Sequence, residues 1–239
     1  MPIKAVLFDF SGTLFRIEST RSWLGAALAA ARTTLPDDEF ERAAQRLHEV
    51  GALPGGTAHP AEVPQHLAEL MAVRDVDSAR HRAAYTGLAR EVPLPDDRLY
   101  EALYERHMTP SAWRPYPDAR EVLAALRERG IAVGVVSNIG WDLRPVFVDH
   151  GLDPYVDTYV MSYRHGVQKP DPRLFTAACE ALGVAPGDTL MVGDDRRADG
   201  GAASLGCAVH FVDHLPVAER PDGLRPVLGL LEEQPPLTL

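Results

Sequence analysis

Short apolar runs that end on polar residues limit the folds open to this chain more than any other feature. AVLF stops on Asp9, VGVV on Ser137 and LMVG on Asp194, while YVMS leads through a loop to Lys169. Residues 3–8, 131–136, 155–161, 189–192 and 207–212 are apolar runs bounded by turn signals, the signature of strands buried on both faces. Between them lie helical patterns with legible ends. Asp171-Pro172 offers an N-cap and a first-turn proline, and Gly183 closes that helix. Over 118–130, Glu121 stands three residues after a cap-type Asp118, with Val122, Leu123 and Leu126 on one face. Strands alternating with helices predict an α/β fold with a mostly parallel, Rossmann-like sheet.

Residues 20–107 break the alternation. Helical patterns fall near 21–32, 36–50, 61–73, 78–90 and 96–108, with a loop over 51–60 and no convincing strand. The expected organisation is therefore a catalytic core of residues 1–17 and 112–239, with an all-helical cap of residues 18–111 inserted into it. The stretch WRPYP, 113–117, is expected to be the linker back into the sheet.

Composition removes several classes of partner. The 239 residues are 46% apolar, enough for a sizeable core, and carry 34 acidic against 24 basic residues for a net charge of −10. No Lys/Arg-rich run is present, which argues against a sequence-independent grip on nucleic acid. The apolar stretch 23–31 is too short to cross a bilayer, and Asp9 interrupts any signal-peptide core, so the expectation is a cytoplasmic protein with a small-molecule partner. Cys179 and Cys207 lie in apolar surroundings and are expected to be buried thiols. No pattern indicates an oligomeric state.

The carboxyl ends of parallel strands share one sheet edge, where ligands bind. Asp9, Ser137, Lys169 and Asp194 could therefore meet although they are far apart in sequence. Taken singly, each has a plain structural reading as a cap, a turn or a surface charge. Lysine usage strengthens the case for Lys169, because of the 24 basic residues only Lys4 and Lys169 are lysine. A compact ammonium acts as a point charge that a forked guanidinium does not reproduce.

Together DFSGT at 9–13, VVSN at 135–138, QKPDP at 168–172 and VGDDRRAD at 192–199 resemble the four motifs of the haloacid dehalogenase-like hydrolase superfamily, and the insert resembles the cap found between its first and second motifs. The resemblance implies that Asp9 is a nucleophile forming an aspartyl intermediate. It implies that Thr13 and Ser137, followed by Asn138, hold the transferring group, and that Lys169 stabilises its charge and that of Asp9. Asp199 would orient Lys169 or a metal-bound water. Mg2+ would sit on Asp9, Asp194 and the backbone carbonyl of Ser11. Asp195 matches no role.

Ser11 departs from the pattern. Phosphatases of the superfamily usually carry an aspartate there, which protonates the leaving oxygen and later activates water. A hydroxyl does neither well, and such catalysis supplies about a hundred- to ten-thousandfold in rate. Three readings stay open: a Mg2+-dependent hydrolase of a small phosphate ester with a modified acid-base step, which is favoured; a 2-haloacid dehalogenase-type hydrolase, whose halide leaves without a proton; and a catalytically degenerate protein that binds a ligand or partner. The phosphonate-cleaving branch needs a cap lysine, and residues 20–108 contain none. Arg16, Arg21, Trp23 and His59 are candidates to face the site, with a packed or solvated helix face as the favoured reading. Trp141 and Arg144 are expected to begin the helix after the second motif.

Overall fold

The computed structural model describes residues 3–56 and 63–232. The chain opens with β1 (Ala5–Phe8), all four residues of which are buried, and the short β2 (Phe15–Ile17). It then runs through α1 (Thr20–Ala31), α2 (Asp37–Glu49), α3 (Ala68–Ala72), α4 (Ser78–Arg90) and α5 (Arg98–His107). It returns through β3 (Trp113–Pro115), α6 (Ala119–Glu128), β4 (Ala132–Ser137), α7 (Arg144–Asp149), β5 (Thr158–Met161) and α8 (Ser162–His165). The last elements are α9 (Pro172–Leu182), β6 (Thr189–Gly193), β7 (Ala208–Phe211) and α10 (Pro226–Glu232).

The main sheet has five strands in the order β5-β4-β1-β6-β7, and every neighbouring pair is parallel. The α/β expectation thus holds, and each predicted run contains a strand. After β1 the chain adds β4 and β5 on one side, then crosses to add β6 and β7 on the other. This reversal makes β1 the switch point, with the ends of β4 and β6 flanking its own, the position in which open α/β sheets bind ligands.

The second expected feature is also present, since the described residues of 20–107 form helices and no strand, but two local readings are corrected. Residues 113–117 are more than a linker, since β3 pairs antiparallel with β2 in register Ile17↔Trp113. The exit from the core and the return to it are thereby joined in one ribbon. The helix expected over 61–73 begins, among the described residues, only after Pro64, as a 3-10 turn Gln65–Leu67 leading into α3. Proline lacks the amide and clashes with the preceding turn, so it stands ahead of a helix rather than inside one. Residues 57–62, and with them His59, lie outside the described residues.

Capping was read correctly at one helix and incorrectly at another. Asp171 accepts a hydrogen bond from the Arg173 amide, and Gly183 adopts the left-handed conformation that ends α9. Asp118 does not cap α6. Its Oδ2 accepts instead from the amides of Leu224, at 2.7 Å, and Arg225, at 3.1 Å, while Glu121 pairs with Arg225. The capping box is given up so that a buried carboxylate can serve the C-terminal segment. Cys179 and Cys207 are buried and free, as expected. No helix among the described residues is long and apolar enough to cross a membrane.

Candidate active site

Asp9 follows β1 directly, and its carboxylate meets Lys169, from the loop after α8. The Lys169 ammonium donates to Asp9 Oδ1 at 2.7 Å and to Asp199 Oδ1 at 2.5 Å. All three residues are buried. Burial works against the charged lysine, yet Asp199 and Asp9 more than offset it, so its pKa is raised. Burial pushes Asp9 up to about 8 in spite of Lys169, and the charges of Asp199 and Asp194 add to the rise. Asp199 is fixed from its other side as well, its Oδ2 accepting from the Asp195 amide at 2.9 Å. Asn138 holds the lysine loop: its Nδ2 donates to the Lys169 carbonyl at 3.0 Å and its Oδ1 accepts from the Lys169 amide at 2.6 Å.

Asp194, at the end of β6, is held by two partners. The Thr13 hydroxyl donates to Oδ1 at 3.3 Å, and His214 Nδ1 lies 2.7 Å from Oδ2. Burial disfavours the Asp194 carboxylate, but the His214 hydrogen bond and charge, together with Lys169, bring its pKa below the usual range. Gly12 permits this packing. Its φ is +83°, and a Cβ there would stand 2.6 Å from Asp194 Oδ2 and 2.7 Å from His214 Nδ1, so no other residue fits. Arg220, buried near the C-terminus, secures the same turn by donating to the carbonyls of Gly12, at 2.6 Å, and Thr13.

Ser11 points its hydroxyl at the Gly55 carbonyl, 3.4 Å away, in the loop that follows α2. Arg16 donates to the same carbonyl at 2.8 Å. Gly55 has φ +74°, and a Cβ on it would lie 2.6 Å from Ser11 Oγ. The insert therefore closes tightly on the residue that departs from the motif.

Between insert and sheet edge lies a cavity of about 940 Å³. Asp9, Ser11, Ser137, Asn138, Lys169, Asp194 and Asp199 line it from the core. The expected convergence is thus present in the geometry. Thr13 is placed differently from expectation: it is fully buried, and its hydroxyl serves Asp194 behind the cavity wall. Arg16 reaches the cavity only through Gly55. Arg21 pairs with Glu41 on the exterior, and Trp23 is core, its indole N–H donating to the Leu103 carbonyl at 2.7 Å. Trp141 packs beside Phe10 and Trp113 ahead of α7, and Arg144, the first residue of α7, pairs with Asp142.

Sequence reasoning missed the wall supplied by the insert: Arg74, Asp75, His81 and Tyr85. They sit on helices and turns with no pattern to separate them from ordinary polar residues. His214 was within reach of the strand-end rule, since it follows the last strand by a few residues on the same sheet edge.

Comparison with known proteins agrees with this geometry. A phosphoserine phosphatase of Thermus thermophilus is 40% identical over 113 residues, which are 46% of this chain and 42% of that protein. A phosphatase of Mycobacterium tuberculosis is 30% identical over 216 residues, 89% of this chain and 88% of that one. Among solved structures, the L-2-haloacid dehalogenase of Xanthobacter autotrophicus with chloropropionic acid covalently bound superposes with a TM-score of 0.63 at 25% identity, covering 91% of this chain and 81% of the other. A model of haloacid dehalogenase-like hydrolases matches residues 3–205, nearly the whole sheet with its insert. Four motifs on one sheet edge and a family match of this extent make the chain a hydrolase of the haloacid dehalogenase-like family.

Proposed function

We propose that the protein hydrolyses a small phosphate ester through an aspartyl-phosphate on Asp9. The observation that carries this reading is the buried Lys169 ammonium bridging Asp9 and Asp199, with Asp194 beside them. Lys169 leaves one Asp9 oxygen unclaimed for attack and brings positive charge to where the phosphoryl oxygens would lie. Ser137 and Asn138, on the cavity wall, are suited to hydrogen-bond those oxygens. Overall similarity to named phosphatases supports the same class of substrate.

Magnesium belongs to this reading as cofactor. Ligand oxygens of Asp9, Asp194 and Asp199 lie within 4.8 Å of one another, an all-oxygen set that suits a small hard cation. The motif resemblance points to Asp9 and Asp194 as the carboxylates that would hold the ion, with the Ser11 carbonyl as third ligand, while Asp199 holds Lys169. When bound it would neutralise charge on the phosphoryl group and on the crowded carboxylates. The insert of residues 18–111 would act as a cap that excludes water and selects the substrate.

The second reading is haloacid dehalogenation, favoured by Ser11 and by the likeness to the Xanthobacter enzyme. Aryl phosphate, acetyl phosphate, sugar phosphates and 2-chloropropionate, each assayed with Mg2+ and with EDTA, separate the two. Phosphate release that needs Mg2+ and disappears in Asp9→Asn is the expected result. Chloride release indifferent to EDTA would replace the first reading with the second.

A further inference from the structure

Phosphate-ester hydrolysis at Asp9 leaves a proton unassigned, because Ser11 carries no carboxyl. The cavity contains five aspartates, of which four are already occupied. Asp9 is the attacking group; Asp194 is held by Thr13 and His214; Asp199 is held by Lys169 and the Asp195 amide. Asp195 folds back on its own turn, its Oδ1 accepting from the amides of Arg197 and Ala198. The fifth, Asp75, comes from the insert.

Resting on the phosphohydrolase reading, we infer that Asp75 is the acid-base residue of this site and does from the insert what the residue at position 11 does not. Its backbone is fixed by the core on both sides: the amide donates to Gln168 Oε1 at 3.2 Å, and the carbonyl accepts from the Ser162 hydroxyl at 2.5 Å. Gln168 immediately precedes Lys169, so one loop positions both the phosphate-binding cation and the acid. The Asp75 carboxyl, by contrast, accepts no hydrogen bond among the described residues. Arg74 Nε makes a long ion pair with Oδ2 at 3.5 Å, and the His81 ring stands off, its Nε2 3.8 Å from Oδ1. A buried carboxyl without a hydrogen-bonding partner, on the wall of a cavity, is unusual unless something that enters the cavity uses it.

Burial raises the Asp75 pKa, against the opposing charges of Arg74 and Lys169, which suits a group that must arrive protonated. Burial drives His81, directly behind it, well below the usual range, and its Nδ1 is 2.7 Å from the Tyr104 hydroxyl. His81 is neutral and committed, which leaves the proton to Asp75.

The step balances as follows. An Asp9 oxygen bonds to phosphorus as the ester P–O bond breaks, the leaving oxygen keeps the electron pair, and it takes the Asp75 proton to depart as an alcohol. Asp75, now a carboxylate, removes a proton from water as that water's oxygen attacks phosphorus and the Asp9–phosphorus bond breaks. Inorganic phosphate leaves and Asp75 is again protonated.

Asp75→Asn is tested with Mg2+ on glycerol phosphate, whose alkoxide needs a proton, and on p-nitrophenyl phosphate, whose phenolate does not. The expected result is a fall of about 100-fold in kcat on the alkyl ester. On the aryl ester a burst of about one nitrophenolate per enzyme should precede slow turnover, because the first step survives and the second has lost its base. An unchanged rate, or an equal fall on both esters with no burst, overturns the inference while leaving the phosphohydrolase reading intact. Absence of Mg2+-dependent phosphate release by the wild type overturns both. If Asp75→Asn does not fold, Gln168→Ala, which frees the Asp75 amide and keeps its carboxyl, should show the same alkyl-over-aryl loss at about tenfold; no difference between the esters overturns the inference.

Discussion

The sheet edge and the interior of the insert both bury ionisable side chains, and they treat them in opposite ways. At the edge a charge is kept and paired, the Lys169 ammonium lying between the carboxyl groups of Asp9 and Asp199 at 2.7 and 2.5 Å. Inside the insert the groups are neutral and stacked: His81 hydrogen-bonds Tyr104, its ring lies 5.7 Å from that of His107, and burial pushes His107 down to about 3. Burying a charge is costly unless a partner repays it, so charge persists where chemistry uses it and is titrated away where only packing does. The edge draws its residues from separate strands across the chain. The insert's cluster comes mainly from α4 and α5, which pack side by side.

The comparison can be broken most forcefully at Asp9. Asp9→Asn is expected to lower Mg2+-dependent phosphate release by about 10⁴-fold or more while the circular dichroism spectrum is retained, as the proposed role of Asp9 as nucleophile of a cooperating set requires. Lys169→Met should come next. It leaves two buried carboxylates facing one another without their cation, an expected loss of about 3–5 kcal/mol in urea unfolding.

A pH titration sharpens the contrast without mutation. In the unfolded chain Asp9 loses its proton near 3.8, but in the metal-free folded protein it keeps the proton to about 8. Between those values unfolding releases a proton, so the stability of the metal-free protein should fall as pH rises through this window. Asp9→Asn should flatten the slope. Mg2+ at about 100 times its dissociation constant should raise stability by about 2.7 kcal/mol, an increment Asp194→Asn should remove. The smallest effect belongs to the insert: Tyr104→Phe takes one hydrogen bond from His81 and should cost about 1 kcal/mol, with kcat nearly unchanged.

Reading the sequence reached the edge because strands announce their ends. An apolar run that stops on Asp9 or Asp194 specifies both the element and the place of the polar residue on it. Lys169 was legible through its rarity in an arginine-rich chain. The same reading stopped at residue 212, two short of His214, and gave Thr13 a substrate oxygen when packing gives it Asp194. Asp118 was misread because a cap-type residue before a helix looks the same whether its carboxylate turns toward that helix or toward Leu224.

What the sequence alone determined is the alternation, the parallel sheet, the helical insert and the set of polar residues carried to one edge, since these follow from periodicity and from the direction of buried strands. Only the tertiary structure decided what faces that edge. The Gly55 carbonyl over Ser11, the Asp75 backbone held by Gln168 and Ser162, and the His214 ring on Asp194 are contacts between segments 20 to 93 residues apart. Local sequence carries no record of such distances, because they are set by how the insert and the C-terminal segment pack against the sheet.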